Sequence, residues 1–153
     1  MQVKKILADR HDVKKILNES DLYMSSLYPD ESNHMTSVSS LMKENTSLFG
    51  VFSNEVLAGI GAVKIFDNEI TYGEIKRVYV LNAFRGLGFA KLIMTSLHQH
   101  LVEQKIPFSK LETGIHQPEA IGLYRALGYI DCSPFGEYQA DPLSIFMELK
   151  LDN

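Results

Sequence analysis

Residues 74–101 read EIKRVYVLNAFRGLGFAKLIMTSLHQHL. The stretch begins with an extended, β-branched run (Ile75, Val78, Tyr79, Val80), passes through Arg85-Gly86-Leu87-Gly88-Phe89-Ala90 and enters an amphipathic helix directly. Two closely spaced glycines let the backbone approach an anion, and the following helix offers that anion its unpaired N–H groups and the positive end of its dipole. A strand, a glycine turn and a helix in this order form a phosphate-binding junction, and the anion they fit best is a pyrophosphate.

Charge points the same way. Between Ile75 and Val102 the chain carries Lys76, Arg77, Arg85 and Lys91 and no acidic residue, whereas its overall net charge is -4. A basic island in an acidic protein favours a polyanionic ligand there. The same acidity argues against general nucleic-acid binding, and the island is too short for an extended DNA-binding face.

Outward from the junction the elements follow in order. Val3 to Ala8 reads as a strand, and Asp9 or Asp12 is placed to cap a helix carrying Val13, Ile16, Leu17, Leu22 and Leu27, which Pro29 ends. A second helical stretch presents Val38, Leu41 and Met42, with the irregular, polar segment 23–36 beside it. Strands at Ser47 to Phe52, Val56 to Phe66 and Ile70 to Val80 are separated by hairpin-length turns, which implies antiparallel pairing. After the glycines, Phe89, Ile93, Leu97 and Leu101 recur at helical spacing. Ser109 to Ile115 reads as a strand, Pro118 opens a helix that ends at Gly128, and Ile145, Met147, Leu149 and Leu151 alternate with polar residues in a closing strand. The expectation is an α+β chain over 1–153, one domain, with a mostly antiparallel mixed sheet of six to seven strands and about four helices.

The lone Cys132 excludes an internal disulfide, and no Cys/His cluster has zinc-site spacing, so no metal is expected. The charged first dozen residues do not form a signal-peptide core, and no apolar run reaches the ~20 residues of a membrane span. The expected location is cytoplasmic, without a membrane partner.

Spacing separates the nucleotide-site readings of the loop. A dinucleotide fold requires a third glycine where Lys91 stands, and a Walker loop requires Gly-Lys-Ser/Thr, which is absent. What remains is R-x-x-G-x-A, from Arg85 to Ala90. Downstream, Gln117-Pro118-Glu119-Ala120-Ile121-Gly122-Leu123-Tyr124-Arg125-Ala126-Leu127-Gly128-Tyr129 matches N-x-x-A-x-x-L-Y-x-x-x-G-F/Y except for Gln in place of Asn. In these two motifs and the order of its elements the chain resembles the GNAT acetyltransferases, and it looks most like a branch of small bacterial enzymes with a Leu111-Glu112-Thr113-Gly114 strand and a Pro134-Phe135, Tyr138, Asp141-Pro142, Ser144, Phe146-Met147 tail.

The resemblance implies a GNAT fold and a co-substrate, acetyl-CoA, held by Val78, Tyr79, Val80, Arg85, Gly86, Leu87, Gly88, Phe89, Ala90, Gln117 and Tyr124. It implies main-chain donors near Val80 freed by a splayed strand, Tyr124 near the thioester sulfur as proton donor, and Glu74 as a general base. Glu112 is the alternative carboxylate, and Lys76 or Arg77 is placed to pair with Glu74. The expected activity is acetyl transfer to a primary amine of a small molecule, against the alternatives of a non-catalytic acyl-CoA-binding module and of a protein-lysine or N-terminal acetyltransferase. The oligomeric state is left open, a homodimer being one option.

Acceptor contacts are expected from segment 23–36 and the tail, with His34, His116 and Tyr138 as candidates and Asp30, Glu31, Glu137 and Asp141 favouring a cationic amine. His98 and His100 lie about 200° apart around their helix, too far to share a metal, and are expected to face solvent.

Overall fold

The computed structural model describes residues 1–33 and 36–151. His34, one of the acceptor candidates, lies outside the described residues. Seven strands and four helices follow in the order β1 (Gln2–Ile6), α1 (His11–Leu27), α2 (Val38–Leu41), β2 (Thr46–Ser53), β3 (Val56–Asp67), β4 (Thr71–Val80), α3 (Phe89–Glu103), β5 (Phe108–Gly114), α4 (Pro118–Ala126), β6 (Ile130–Asp131) and β7 (Ser144–Lys150). The short strand β6 was not foreseen from sequence, because two residues carry no periodicity.

The strands form one sheet in the order β1-β2-β3-β4-β5-β7-β6. Every pair is antiparallel except β4 and β5, which run parallel and are joined through α3. Tight turns build the antiparallel half: Asn54 and Glu55, both at positive φ, connect β2 to β3. The parallel pair needs the longer crossover that the helix supplies.

Each face of the sheet is covered. Ile93, Met94, Leu97 and Leu101 of α3, all with no measurable exposure, pack with Val51, Val63 and Ile75 on one face. Val13, Ile16 and Leu17 of α1 and Leu41 of α2 pack with Leu48, Ile60, Ala62 and Tyr79 on the other. Beneath α3 the sheet presents Gly61 and Gly73, where a Cβ would run into Ile93 and Leu101, so the helix rests on bare backbone. A third cluster of Tyr72, Phe135 and Phe146, with Tyr138 and Cys132 against it, fastens the 132–143 tail to the sheet.

Helix α1 does not start as expected. Arg10 occupies the N-cap position without a side-chain cap, and Asp12 instead holds the Arg10 guanidinium through two bonds of 3.0 Å. An arginine two residues away competes for that carboxylate more strongly than a backbone N–H does. Among the described residues no helix is long and apolar enough to cross a membrane.

The fold predicts one stability effect directly. Leu97 is fully buried between α3 and the sheet, so Leu97→Ala leaves a cavity and lowers the free energy of unfolding by about 2–5 kcal/mol, measured by urea or thermal denaturation.

Candidate active site

The parallel pair β4–β5 is short. Tyr72, Gly73, Glu74 and Ile75 pair with Phe108, Ser109, Lys110 and Leu111, and beyond Ile75 the ladder stops. Just past that point β4 carries a bulge against β3, with Ile60 facing Tyr79 but Ala62 facing Lys76, and Arg77 at φ 57°. The extra residue kinks the strand and swings its end away from β5. It also explains why Ile75, Val78 and Val80 all contribute to one face, a spacing that simple alternation does not produce. The parting begins earlier than Val80, where the sequence reading put it, because the bulge acts three residues before.

Two clefts flank the parted strand. The first is lined by Val78, Tyr79, Val80, Arg85, Gly86, Gly88, Phe89, Ala90 and Lys91 on one wall and by Gln117, Glu119, Ala120, Leu123 and Tyr124 of α4 on the other. Gly86 and Gly88 take positive φ of 77° and 84°, with nothing within 4 Å of where a Cβ would stand, and Gly88 is the N-cap of α3. The glycine turn read from the sequence is present, with the α3 N-terminus at one end of the cleft. Leu87 is the exception among the expected cofactor contacts, since it is 60% exposed and does not line the cleft.

The second cleft lies between α1, β4, β5 and the tail. Glu74, Lys76, Arg77, Glu112, Tyr28 and Tyr138 line it, and Val78, Gln117 and Tyr124 border both clefts. Tyr124 thus stands where the two meet. Its ring packs edge-on against Tyr129, with centroids 5.9 Å apart. Burial, with a smaller contribution from the Glu112 charge, pushes the Tyr124 phenol up to about 12, so the hydroxyl stays protonated at neutral pH.

Glu74, expected from the resemblance as a general base, is tied into the fold. It is the fourth residue of β4 and buried, and its Oε2 accepts from the Tyr138 hydroxyl at 2.6 Å and from Lys76 Nζ at 3.2 Å. Burial and the Glu74 charge raise the Tyr138 phenol strongly, which keeps it a donor to Glu74. The structure thus joins a β4 carboxylate to a tail tyrosine 64 residues away. Glu112 also lines the cleft and accepts from Ser144 Oγ at 2.7 Å.

The basic island does not act as a unit. Lys76 and Arg77 face the second cleft, with Lys76 paired to Glu74 and Arg77 beside Asp21, while Arg85 and Lys91 border the first. Arg85 Nε donates to the Val80 carbonyl at 3.1 Å, and its guanidinium lies over the rings of Tyr79 and Tyr23. The bulge turns both Lys76 and Arg77 toward one cleft, while Arg85 and Lys91 lie beyond the strand, on the loop and helix that border the other.

Three further expectations change. His116 is exposed and stacks on Tyr28 at 5.4 Å, lining neither cleft. His98 and His100 are half-buried: His98 Nε2 lies 2.7 Å from the Tyr129 hydroxyl, which also bonds Ser109, and His100 packs on Phe49. Burial lowers the pKa of both imidazoles. Asp141, expected to favour a cationic acceptor, accepts from Ser32 Oγ at 2.7 Å and from the Leu143 N–H at 2.8 Å, tying the tail to the segment after α1.

Sequence reasoning missed Tyr28. At the end of α1, its hydroxyl accepts from the His116 N–H at 3.0 Å and donates to Gln117 Oε1 at 3.2 Å, while Gln117 Oε1 also accepts from the Gly114 N–H at 3.3 Å. The amide oxygen of Gln117, which stands where the motif has Asn, is thereby held by Tyr28 and the Gly114 backbone. The signal was the Tyr28-Pro29 helix end, which reads only as a terminator until Gly114 is seen to leave room for the ring.

Comparison with known proteins agrees with this geometry. Residues 11–129 match the model of the acetyltransferase (GNAT) family. The IAA acetyltransferase of Azospirillum brasilense is 36% identical over 139 residues, covering 91% of this chain and 90% of that protein. A solved structure from Klebsiella pneumoniae subsp. pneumoniae MGH 78578, provisionally an acyl-CoA N-acyltransferase, superposes with a TM-score of 0.82 at 28% identity, covering 99% of this chain and 97% of that one. PaiA N-acetyltransferase from Thermoplasma acidophilum, solved with coenzyme A, shares the fold at a TM-score of 0.72 and 16% identity, covering 98% and 99% of the two chains. The chain belongs to the GNAT acetyltransferase family. It is an acyl-CoA-dependent acyltransferase.

The Tyr28 brace makes a specific prediction. A methyl group at Gly114 overlaps the Tyr28 hydroxyl and ring, so Gly114→Ala displaces the end of α1 and costs about 1–3 kcal/mol of stability, read as a lowered Tm.

Proposed function

We propose that this protein transfers an acetyl group from acetyl-CoA to a primary amine of a small molecule, by direct attack within a ternary complex. The observation that carries the reading is the position of Tyr124, buried at the junction of a cleft bordered by a glycine turn and a helix N-terminus and a cleft lined by Glu74 and Glu112 among others. The PaiA N-acetyltransferase of the same fold was solved with coenzyme A, which supports an acyl-CoA donor in the first cleft. Its pyrophosphate suits the loop Arg85 to Ala90 and the N-terminus of α3, and its pantetheine arm suits the backbone of Val78, Tyr79 and Val80, which β5 does not pair.

The residues then divide the work. A primary amine of Lys-like pKa, ~10.4, is mostly protonated at neutral pH and must lose a proton before it attacks. Glu74 is the carboxylate in place to take it, oriented by Tyr138 and Lys76. Main-chain N–H groups of the parted strand polarise the thioester carbonyl as the tetrahedral intermediate forms. Its collapse breaks the carbon–sulfur bond, and the leaving thiolate takes a proton from Tyr124. No covalent enzyme intermediate is required. A passive acyl-CoA-binding module has no need of a second cleft opening onto the thioester position.

With acetyl-CoA and an accepted amine the protein releases free CoA thiol, and Tyr124→Phe lowers kcat by about 100-fold or more, measured by thiol release. Full activity in that variant removes Tyr124 from the mechanism.

The pH dependence has a definite sign. A phenol raised to about 12 remains protonated across the assay range, so kcat/KM climbs as the amine deprotonates and Tyr124 introduces no falling limb below pH 10. A falling limb near pH 8 to 9 that disappears in Tyr124→Phe contradicts this assignment.

A further inference from the structure

Arg77 has no part in the chemistry above, yet its environment is costly. It occupies the β4 bulge at positive φ, its side chain is 6% exposed, and it lines the acceptor-side cleft. A guanidinium presents five N–H donors in a fixed fork. Here Nη2 donates to the Leu17 carbonyl at 3.2 Å. Nη1 lies 2.7 Å from Asp21 Oδ1, but that oxygen receives no aligned hydrogen bond, and Nε has no partner among the described residues. A buried donor left unmet is expensive even where the charge itself is paired, and the Nε edge in a native site calls for a further partner.

The other charges of the cleft narrow what that partner is. Lys76 is occupied by Glu74 and the Tyr138 hydroxyl. Among the described residues the charges lining the cleft are Glu74 and Glu112 against Lys76 and Arg77, which cancel, with Asp21 paired to Arg77 outside the lining. A polyamine brings positive charge without compensation to such a cleft, whereas a molecule carrying one ammonium and one carboxylate leaves it neutral. Asp21 holds the Nη1 edge of Arg77 through a buried Oδ1, which leaves the Nε edge for an anion inside the cleft.

We propose that Arg77 binds a carboxylate of the acceptor, so that the acceptor is an amino acid or another amine bearing a carboxylate. The inference rests on the acetyl-transfer reading and names its substrate class. The carboxylate accepts from Nε on the α1 side of the cleft, and the amine turns toward Glu74, Glu112 and Tyr124. An arginine suits this role better than a lysine because its planar fork directs the donors as well as supplying charge.

The test compares matched acceptors by thiol release from acetyl-CoA: the standard amino acids against their carboxamides, with putrescine and spermidine alongside. The wild-type protein prefers at least one free acid over its carboxamide by about tenfold or more in kcat/KM. Arg77→Gln collapses that ratio toward unity, mainly through KM for the acid, and Arg77→Lys falls between. Circular dichroism and Tm establish that each variant is folded, and the wild-type acid-to-amide ratio stands without any variant. Amides or polyamines used as well as or better than every acid overturn the carboxylate site and leave acetyl transfer intact. A preference that survives in folded Arg77→Gln overturns it too, and no thiol release with any amine overturns both readings.

Discussion

Everything at the site depends on β4 leaving β5 after Ile75. A parallel ladder that continued would consume the main-chain groups of residues 76–80 and close the space in which both clefts lie. The bulge at Arg77 forces the parting, and it persists because each side of the divergence is held by a different body of the fold: α3 packs across β2, β3 and β4, while β5 is held by β7 along its whole length. Unpaired backbone at the centre of a sheet is otherwise unfavourable, so the gap amounts to a preformed demand for a ligand that can hydrogen-bond to it.

The two walls of the second cleft are braced by tyrosines that serve as structural pins. Tyr28 fixes the end of α1 against the β5–α4 junction, and Tyr138 fixes the tail against Glu74. Both hydroxyls are tied to polar groups and both rings sit among aromatic neighbours, so apolar packing positions the ring and the hydrogen bond sets its orientation. Chain segments far apart in sequence thus converge on one small volume.

Burial also sets the protonation of these groups. The phenols of Tyr124, Tyr79 and Tyr138 all rise, so tyrosines here act as donors rather than bases. Carboxylates at the same site accept from hydroxyls and, for Glu74, from Lys76.

The strands, α3, α4 and the glycine loop were legible in the sequence because each is written in local signals: period-two alternation, i to i+4 apolar spacing, turn residues and Pro118 at a helix start. Tyr124 and the loop from Arg85 to Ala90 were legible for the same reason, as contiguous motifs. The bulge at Arg77, the division of the basic island, the Tyr28–Gln117 contact and the Tyr138–Glu74 bond were not. They arise where elements distant along the chain meet, and the free energy that decides them is packing and desolvation, to which no single segment contributes alone. Sequence determined which residues form the elements and the glycine turn; tertiary structure alone decided which side of the parted strand each charge faces, because that follows from a one-residue bulge that reverses the alternation.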